Sequence, residues 1–188
     1  MLRPLAEELN ASTHQVREAL LALVGEGWVT QAKNKGFLAK SPDLATFAEY
    51  AELNKWLLVA ALHVVNPDAS LPTPVRKRIS SIHKKLTPFN DDEHALTICI
   101  GKLFTAIVEL SGNRAATRMV KRCNEDLHFI RTRECQYLDS VDVEIATLCE
   151  LTLNRDYSEL REALTAYHLR RVQPDAPQLR DLSVTSSD

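Results

Sequence analysis

The sequence predicts a mainly α-helical protein, with a small strand-containing part at its front and a helical bundle behind it. Of 188 residues, 45% are apolar, 26% are charged and only five are glycine, a balance that favours helix and provides enough apolar surface for a core. Apolar residues recur three or four positions apart through most of the chain beyond residue 42. The only hairpin-like pattern lies between residues 28 and 39.

Residues 1–41 are expected to form the first domain. A short apolar-periodic run closes at Asn10 and predicts one helix. Ser12 is a typical N-cap residue, and the positions after it have the spacing of one inward-facing helix side: Val16, Ala19, Leu20, Leu23 and Val24. Two short strands, 28–30 and 37–39, follow, and a turn at Asn34-Lys35-Gly36 joins them.

Residues 42–172 are expected to form an all-α bundle of six helices. The first begins at Asp43, a basic helix runs from about Pro74 to Leu86, and a long helix runs from Asp91 or Asp92 to Leu110. Ser111-Gly112-Asn113 ends that long helix. Three more helices have apolar faces that include Met119, Val120, Leu127, Ile145, Leu148, Leu160 and Leu164. Residues 173–188, rich in Pro, Ser and Asp, are expected to be a flexible tail.

Composition and charge exclude several classes of protein. No run of 18 apolar residues and no basic region followed by an apolar stretch is present, so we expect neither a membrane span nor a secretory signal, and we place the protein in the cytoplasm. The 23 basic and 25 acidic residues give a net charge of -2, which argues against general affinity for nucleic acid but leaves room for a local basic face. The widely spaced cysteines are expected to be buried, reduced thiols: Cys99, Cys123, Cys135 and Cys149.

The front domain has the order of a winged helix-turn-helix: two helices joined by a tight turn, then a basic hairpin. In such a unit the second helix lies in the major groove and the wing contacts phosphate or the minor groove. The residues expected to contact DNA lie at the start of the second helix or on the wing: Ser12, Thr13, His14, Gln15, Arg17, Lys33, Lys35 and Gly36. The opposing interpretation is a packing unit whose cations are merely solvated.

Three runs in this domain resemble the winged-helix domain of GntR-family transcriptional regulators. They are Leu5-Ala6-Glu7-Glu8-Leu9-Asn10-Ala11-Ser12, Val16-Arg17-Glu18-Ala19-Leu20 and Glu26-Gly27-Trp28-Val29, and residues 35–39 resemble the wing strand. The resemblance implies a DNA-binding regulator. Family members usually begin with a further helix and strand, so the first helix of the domain is expected to be missing here.

The helical part resembles the effector-binding domain of the FadR-type subgroup, the FCD domain, at Ser111-Gly112-Asn113 and at His168-Leu169. Many such domains hold a divalent metal between one Asp and three His. The corresponding positions here are Ile100, Phe104, Glu144 or Ile145, and His168, while a carboxylate-binding Arg corresponds to Asn54. The resemblance therefore implies a domain without bound metal or cofactor, because only one of the usual ligands remains.

The resulting ligand pocket is expected to be lined mainly by apolar side chains: Asn54, Leu58, Ile100, Phe104, Ile145 and His168. Two interpretations stay open. The pocket binds a small apolar effector, or the core is filled by its own side chains.

The function that these patterns favour is a homodimeric regulator bound to a double-stranded DNA operator, because a palindromic operator matches a protein two-fold axis. One alternative is a helical dimerisation or sensing module that acts through protein partners and has impaired DNA binding. Another is an enzyme that uses Asp91, His94 or His168. Nothing in the sequence supplies these groups with a nucleophile, a phosphate loop or a complete metal set, so the sequence predicts that the protein is not an enzyme.

Overall fold

A computed structural model describes residues 2–26, 28–32, 36–39, 44–86, 92–134 and 138–172. The chain divides into two compact units, Met1–Ser41 and Pro42–Asp188. The described stretches contain eight α-helices and one two-stranded sheet, so the predicted mainly α-helical fold is confirmed. The expected tail, residues 173–188, lies outside the described residues.

The first unit is a winged helix-turn-helix, as the sequence predicts. Its elements are α1 (Arg3–Glu8), α2 (Thr13–Glu26), β1 (Val29–Ala32) and β2 (Gly36–Ala39). The two strands are antiparallel, with Val29 opposite Ala39, and each is longer than predicted. Between the helices Asn10 has a φ of 49°, a left-handed conformation that Asn tolerates better than most residues. This conformation makes the connection tight enough for a helix-turn-helix.

The core side of α2 is narrower than the sequence predicts. Val16 is buried and Leu20 and Val24 are half-buried, but Ala19 is exposed and Leu23 is 36% exposed. The prediction that Ala19 and Leu23 face inward is therefore wrong. The physical reason is that the six-residue α1 and a two-stranded hairpin are the described partners of α2 within this unit, and so small a set of elements covers only one stripe of the helix.

The second unit contains the six predicted helices. They are α3 (Leu44–His63), α4 (Thr73–Leu86), α5 (Glu93–Glu109), α6 (Arg114–Arg131), α7 (Val141–Asn154) and α8 (Tyr157–Val172). The core is centred on α5, which contacts α3, α4, α6 and α7 and whose Ile100, Leu103 and Phe104 are fully buried. None of the described helices is long and apolar enough to cross a membrane.

The ends of α5 and α6 are fixed by local hydrogen bonds. Asp92 caps α5, because its carboxylate accepts a hydrogen bond from the backbone N–H of Ala95 at 2.9 Å. Asn113 caps α6 by accepting from the backbone N–H groups of Ala115 and Ala116. Between the two helices Gly112 has a φ of +68°, a conformation for which glycine is suited. The predicted stop at residues 111–113 is therefore confirmed.

Three of the cysteines, Cys99, Cys123 and Cys149, are buried free thiols, as expected. Burial raises the pKa of Cys123 to about 11 and that of Cys149 to about 12, so both thiols are protonated at physiological pH. Cys135 lies outside the described residues.

Candidate DNA-contacting helix and buried polar cluster

The start of α2 is held by a reciprocal capping box between Ser12 and Gln15. The backbone N–H of Gln15 donates to Ser12 Oγ at 3.2 Å, and the backbone N–H of Ser12 donates to Gln15 Oε1 at 2.9 Å. The Ser12 hydroxyl also donates to Gln15 Oε1 at 2.9 Å. Two backbone N–H groups at the start of the helix, which have no partner within the helix, thereby gain hydrogen bonds. The side-chain oxygen of Gln15, predicted to contact a base, is occupied in this arrangement, which leaves its amide nitrogen for an outside partner.

Thr13, His14 and Arg17 are exposed on the first turns of α2. Thr13 and Arg17 are four positions apart and His14 and Arg17 three, so the three side chains share one side of the helix. His14 Nδ1 lies 3.5 Å from Glu18 Oε2, and both side chains are mostly exposed. Arg17 has no ion pair within the described residues. This side of α2 therefore offers a free guanidinium beside the positive end of the helix dipole, an arrangement that attracts phosphate.

The wing is described only in part. Lys33 and Lys35, both predicted DNA contacts, lie outside the described residues. Gly36 begins β2, is exposed and has a φ of +82°, a conformation that side chains other than glycine rarely adopt. Gly36 thus has the positive φ that the predicted turn requires, while Asn34 and Lys35 of that turn lie outside the described residues.

The six predicted pocket residues are all buried in the bundle. Leu58, Ile100 and Ile145 belong to its main apolar core. The ring of Phe104 on α5 stacks on the ring of His168 on α8, with centroids 5.4 Å apart. Asn54 on α3 donates from Nδ2 to Asn124 Oδ1 on α6 at 3.2 Å. Two clefts on the surface of the bundle, of about 930 and 460 Å³, include none of these six residues in their walls.

Sequence reasoning missed the charged and polar groups that surround these residues. We define the buried polar cluster as Asn54, Asn124, Arg131, Glu134, Tyr167 and His168. Arg131 and Glu134 are 3% and 1% exposed, although both residue types are almost never fully buried unless paired. One signal could have found Arg131: it follows Leu127 by four positions and continues the buried stripe of α6.

Arg171, near the end of α8, is a buried arginine with a complete set of partners. Its Nε donates to Glu134 Oε2 at 2.8 Å and its Nη2 to Glu144 Oε2 at 2.9 Å. Its Nη1 donates to the backbone oxygen of Tyr167 at 2.8 Å. Burial opposes the charge on this guanidinium, but Tyr167 and the two carboxylates outweigh that effect and raise its pKa. Arg171 therefore fastens α8 to α7 and to the turn that follows α6.

Arg131 is as deeply buried as Arg171, but its surroundings differ. Its Nη1 donates to Asn124 Oδ1 at 2.8 Å, and its Cζ lies 5.1 Å from the centre of the Phe104 ring. Within the described residues no carboxylate lies within ion-pair distance of it. A buried guanidinium without a negative partner is costly, so Arg131 stands out as the incompletely compensated charge of the cluster.

Among the described residues, four buried polar atoms of this region have no hydrogen-bond partner: Asn54 Oδ1, Glu134 Oε1, Tyr167 Oη and His168 Nε2. At His168 the other ring nitrogen, Nδ1, lies 2.7 Å from the backbone oxygen of Leu164. Since a carbonyl oxygen only accepts, Nδ1 carries the proton in this contact. Burial lowers the pKa of His168 to about 3, so the ring is neutral and its Nε2 is an acceptor.

The cluster does not fit a divalent metal. The described residues contain no group of three or more His, Cys, Asp and Glu side chains placed to hold an ion. At the positions implied by the FCD resemblance, Phe104 stacks on His168 where a second imidazole would be needed. The Arg131 guanidinium lies against the same Phe104 ring and would repel a cation.

The two described residues considered for acid-base chemistry, His94 and His168, lie in different environments. Asp91 lies outside the described residues. His94 is exposed on α5, and its ring meets that of His128 edge to face at 5.3 Å. His168 is buried and bonded to backbone. Among the described residues neither histidine forms a hydrogen bond to a nucleophile, an arrangement that acid-base and nucleophilic catalysis usually need.

Comparison with known proteins defines the class of fold. No family model and no curated protein matches the chain, but several solved structures do. A GntR transcriptional regulator from a Rhodococcus species is similar over 90% of this chain and 83% of its own, with 13% identity and a TM-score of 0.72. A GntR-family regulator from Pseudomonas syringae pv. tomato covers 98% of this chain and 78% of its own, with 20% identity and a TM-score of 0.58.

A third structure, McbR/YncC from E. coli, covers 98% of this chain and 86% of its own, with 18% identity and a TM-score of 0.66. Identities at this level show the fold alone. The chain therefore has the fold of a winged helix-turn-helix unit followed by a helical bundle, which it shares with transcriptional regulators of the GntR family.

Proposed function

We propose that this protein is a DNA-binding transcriptional regulator of the GntR family whose helical domain responds to a small-molecule effector. The observation that carries the proposal is the first turns of α2. The Ser12–Gln15 capping box fixes the helix end, and Thr13, His14 and Arg17 are exposed on one side of it. A rigid, exposed helix start next to a two-stranded wing matches the geometry by which winged helix-turn-helix proteins enter the major groove.

Separate roles follow for the side chains on this helix. Arg17 is the proposed phosphate contact, and the lack of an ion pair to its guanidinium within the described residues supports this role. Thr13, His14 and the amide nitrogen of Gln15 are candidates for contacts with base edges. Ser12 acts on the helix itself, because its hydroxyl is committed to the cap. Lys33 and Lys35 remain predicted phosphate contacts.

We expect the protein to act as a homodimer, because one short recognition helix buries little surface on DNA and two half-sites multiply affinity. The working protein would then contact a palindromic operator through two copies of α2. Sedimentation of the free protein and of its DNA complex tests this directly, and a single protein chain on each DNA would contradict it.

The decisive experiment selects bound sequences from a random DNA pool and then measures affinity against salt concentration by fluorescence anisotropy. Arg17→Ala should weaken binding to all sequences and reduce the slope of log K against log salt by about 1 per protein copy. Arg118→Ala is a matched control, since it removes an exposed arginine from the bundle. The control should leave the slope unchanged, and a protein that shows no salt-dependent binding refutes the proposal.

A second function is favoured by one observation. The first unit exposes several large apolar side chains: Leu9, Leu21, Leu23 and Leu38. A surface of this kind suits a protein partner, so a dimerisation or sensing module with impaired DNA binding is the alternative. Loss of DNA binding in the experiment above, together with a stable dimer, would favour this function.

A further inference from the structure

We propose that the larger of the two surface clefts binds a short acidic amphipathic helix of a protein partner. We call it the α4–α5 cleft, because its walls come from residues between 78 and 86 of α4 and between 95 and 102 of α5. Its volume is about 930 Å³. Such a contact goes beyond the proposed function and does not depend on DNA binding.

The α4–α5 cleft is a groove about two helical turns long. On α4 its walls include Arg78, Ser81, Ile82 and Lys85. On α5 they include Ala95, Ile98, Cys99 and Lys102. Each set follows the spacing i, i+3, i+4 and i+7, so each lies along one side of its helix and spans about 10 Å. Two such stripes side by side form a groove that fits about two turns of a third helix.

The two helices run in opposite directions, which places cations toward both ends of the groove. Arg78, near the start of α4, pairs with Glu109, at the end of α5, at 2.6 Å between Nη2 and Oε2. Lys102 therefore lies toward the Arg78 end, and Lys85 lies toward the other end. Burial raises the pKa of Cys99, and the charges of Lys85 and Lys102 act in the opposite direction. Both lysines are therefore close to this thiol in the wall of the groove.

The walls of the cleft carry positive charge without a matching negative charge. Among the described residues no Asp or Glu lines the cleft, and Lys84, Lys85 and Lys102 form no ion pair. All three lysines are exposed. Their concentration here contrasts with the net charge of -2 of the whole chain. Because lysines this close repel one another, a partner that carries carboxylates removes a repulsion and adds attraction.

The floor of the cleft is apolar, and this decides which kind of anion fits. Ile98 is 37% exposed, while Ile82 and Cys99 beside it are nearly covered. A small inorganic anion or the phosphate backbone of DNA would neutralise the lysines but has no apolar part to cover Ile98. An amphipathic helix has both parts: carboxylates at i and i+7, about 10 Å apart, and apolar side chains at i+3 and i+4 between them. The lining therefore favours recognition of a helix in a groove.

The test uses a designed peptide with this pattern. The probe is a fluorescein-labelled, alanine-rich helix of about 18 residues, with Glu at i and i+7 and Leu at i+3 and i+4. Fluorescence anisotropy with the full chain at near-physiological salt should show saturable binding. The dissociation constant is expected to be roughly 10–1,000 μM, because a two-turn contact buries well below the roughly 1,200 Å² of a standard interface.

Two control peptides separate charge from apolar contact. One replaces each Glu by Lys, and the other replaces each Leu by Gln. Each should bind the unmodified protein at least about tenfold more weakly than the probe, since the first repels the lysines and the second leaves Ile98 uncovered.

An exchange of charge connects the binding to the cleft. The double variant Lys85→Glu with Lys102→Glu should bind the probe at least about tenfold more weakly and should bind the lysine peptide instead. The matched control is Arg118→Glu with Lys121→Glu, an equal change of charge at exposed residues of α6 that do not line the cleft. It should bind the probe within about threefold of the unmodified protein, because salt screens distant charges. Circular dichroism checks folding, and Lys85→Gln with Lys102→Gln replaces the glutamate variant if that variant does not fold.

Four results would overturn the inference: the probe does not bind saturably, the glutamine peptide binds as tightly as the probe, both double variants lose the probe equally, or the cleft variant loses selected DNA as Arg17→Ala does. The last result would make the lysines DNA contacts. DNA binding of the same samples separates the two proposals. A protein that binds its selected DNA but not the probe refutes this inference alone. A protein that binds the probe in the cleft but no DNA refutes the proposed regulator and leaves this inference standing.

Discussion

Replacing Arg171 by methionine should destabilise the bundle strongly, whereas replacing Arg131 by methionine should not. Methionine is of similar length and apolar, so each variant removes a guanidinium without leaving a large cavity. Arg171→Met leaves Glu134, which is 1% exposed, as a buried charge without its cation. Arg131→Met leaves no carboxylate behind, because Arg131 has none as a partner within the described residues.

The magnitudes follow from these partners. Breaking a buried ion pair on one side costs about 3–5 kcal/mol, which we expect for Arg171→Met. Arg131→Met gives up one charged hydrogen bond to Asn124, roughly 1.5–3 kcal/mol, but it also removes an uncompensated buried charge that costs several kcal/mol. Asn124 Oδ1 keeps the amide of Asn54 as a donor at 3.2 Å. The net change is expected to lie between zero and a gain of about 1 kcal/mol.

Urea unfolding followed by circular dichroism at 222 nm, a helix signal, measures both variants. At about 2–4 °C per kcal/mol for a domain of this size, Arg171→Met should also lower the thermal midpoint by roughly 6–20 °C. If Arg131→Met loses as much stability as Arg171→Met, the charge on Arg131 is already compensated in the free protein and the reasoning is refuted.

Three further predictions concern other parts of the chain. Asn113→Ala should lower the free energy of unfolding of the bundle by about 1 kcal/mol, since it removes the cap of α6; an unchanged urea midpoint would contradict this. Ser12→Ala should speed amide hydrogen exchange in the first turn of α2 by about fivefold, for a loss of about 1 kcal/mol, while exchange in α5 should stay the same. The folded pKa of His168, about 3, is below its ordinary value of 6.5, so the unfolded chain takes up the proton first as the pH falls. Stability should therefore decrease from about pH 6.5 downwards, by at most about 1.4 kcal/mol per pH unit, and His168→Gln should flatten this dependence in acid titrations followed by circular dichroism.

Much of the fold could be predicted because the starts and ends of its helices depend on a few neighbouring residues. Ser12 and Asp92 cap the helices at which the sequence places a start, and the stop predicted at residues 111–113 separates α5 from α6. These features are set by one or two residues and their own backbone, so sequence spacing is enough to find them.

Where the sequence prediction failed, the burial of a residue depends on which other elements pack against it. Ala19 and Leu23 have the spacing of an inward face, yet their exposure is decided by how much surface the neighbouring elements provide. Arg131 shows the reverse problem. An arginine in an apolar stripe usually extends its charged end to water, so its spacing alone does not distinguish a buried guanidinium from a solvated one. His168 was expected inside the bundle and is buried there, but the amides and acids around it come from distant parts of the chain.

A single amide side chain joins three helices of the bundle. Asn124 on α6 receives hydrogen bonds from Asn54 on α3 and from Arg131 within α6, and it donates to the backbone oxygen of Gly101 on α5 at 3.0 Å. A shift of Arg131 would therefore change the hydrogen bonding of α3, which is the first bundle helix after the wing in chain order. Asn124 thus connects Arg131, in the interior of the bundle, to the first bundle helix through one side chain.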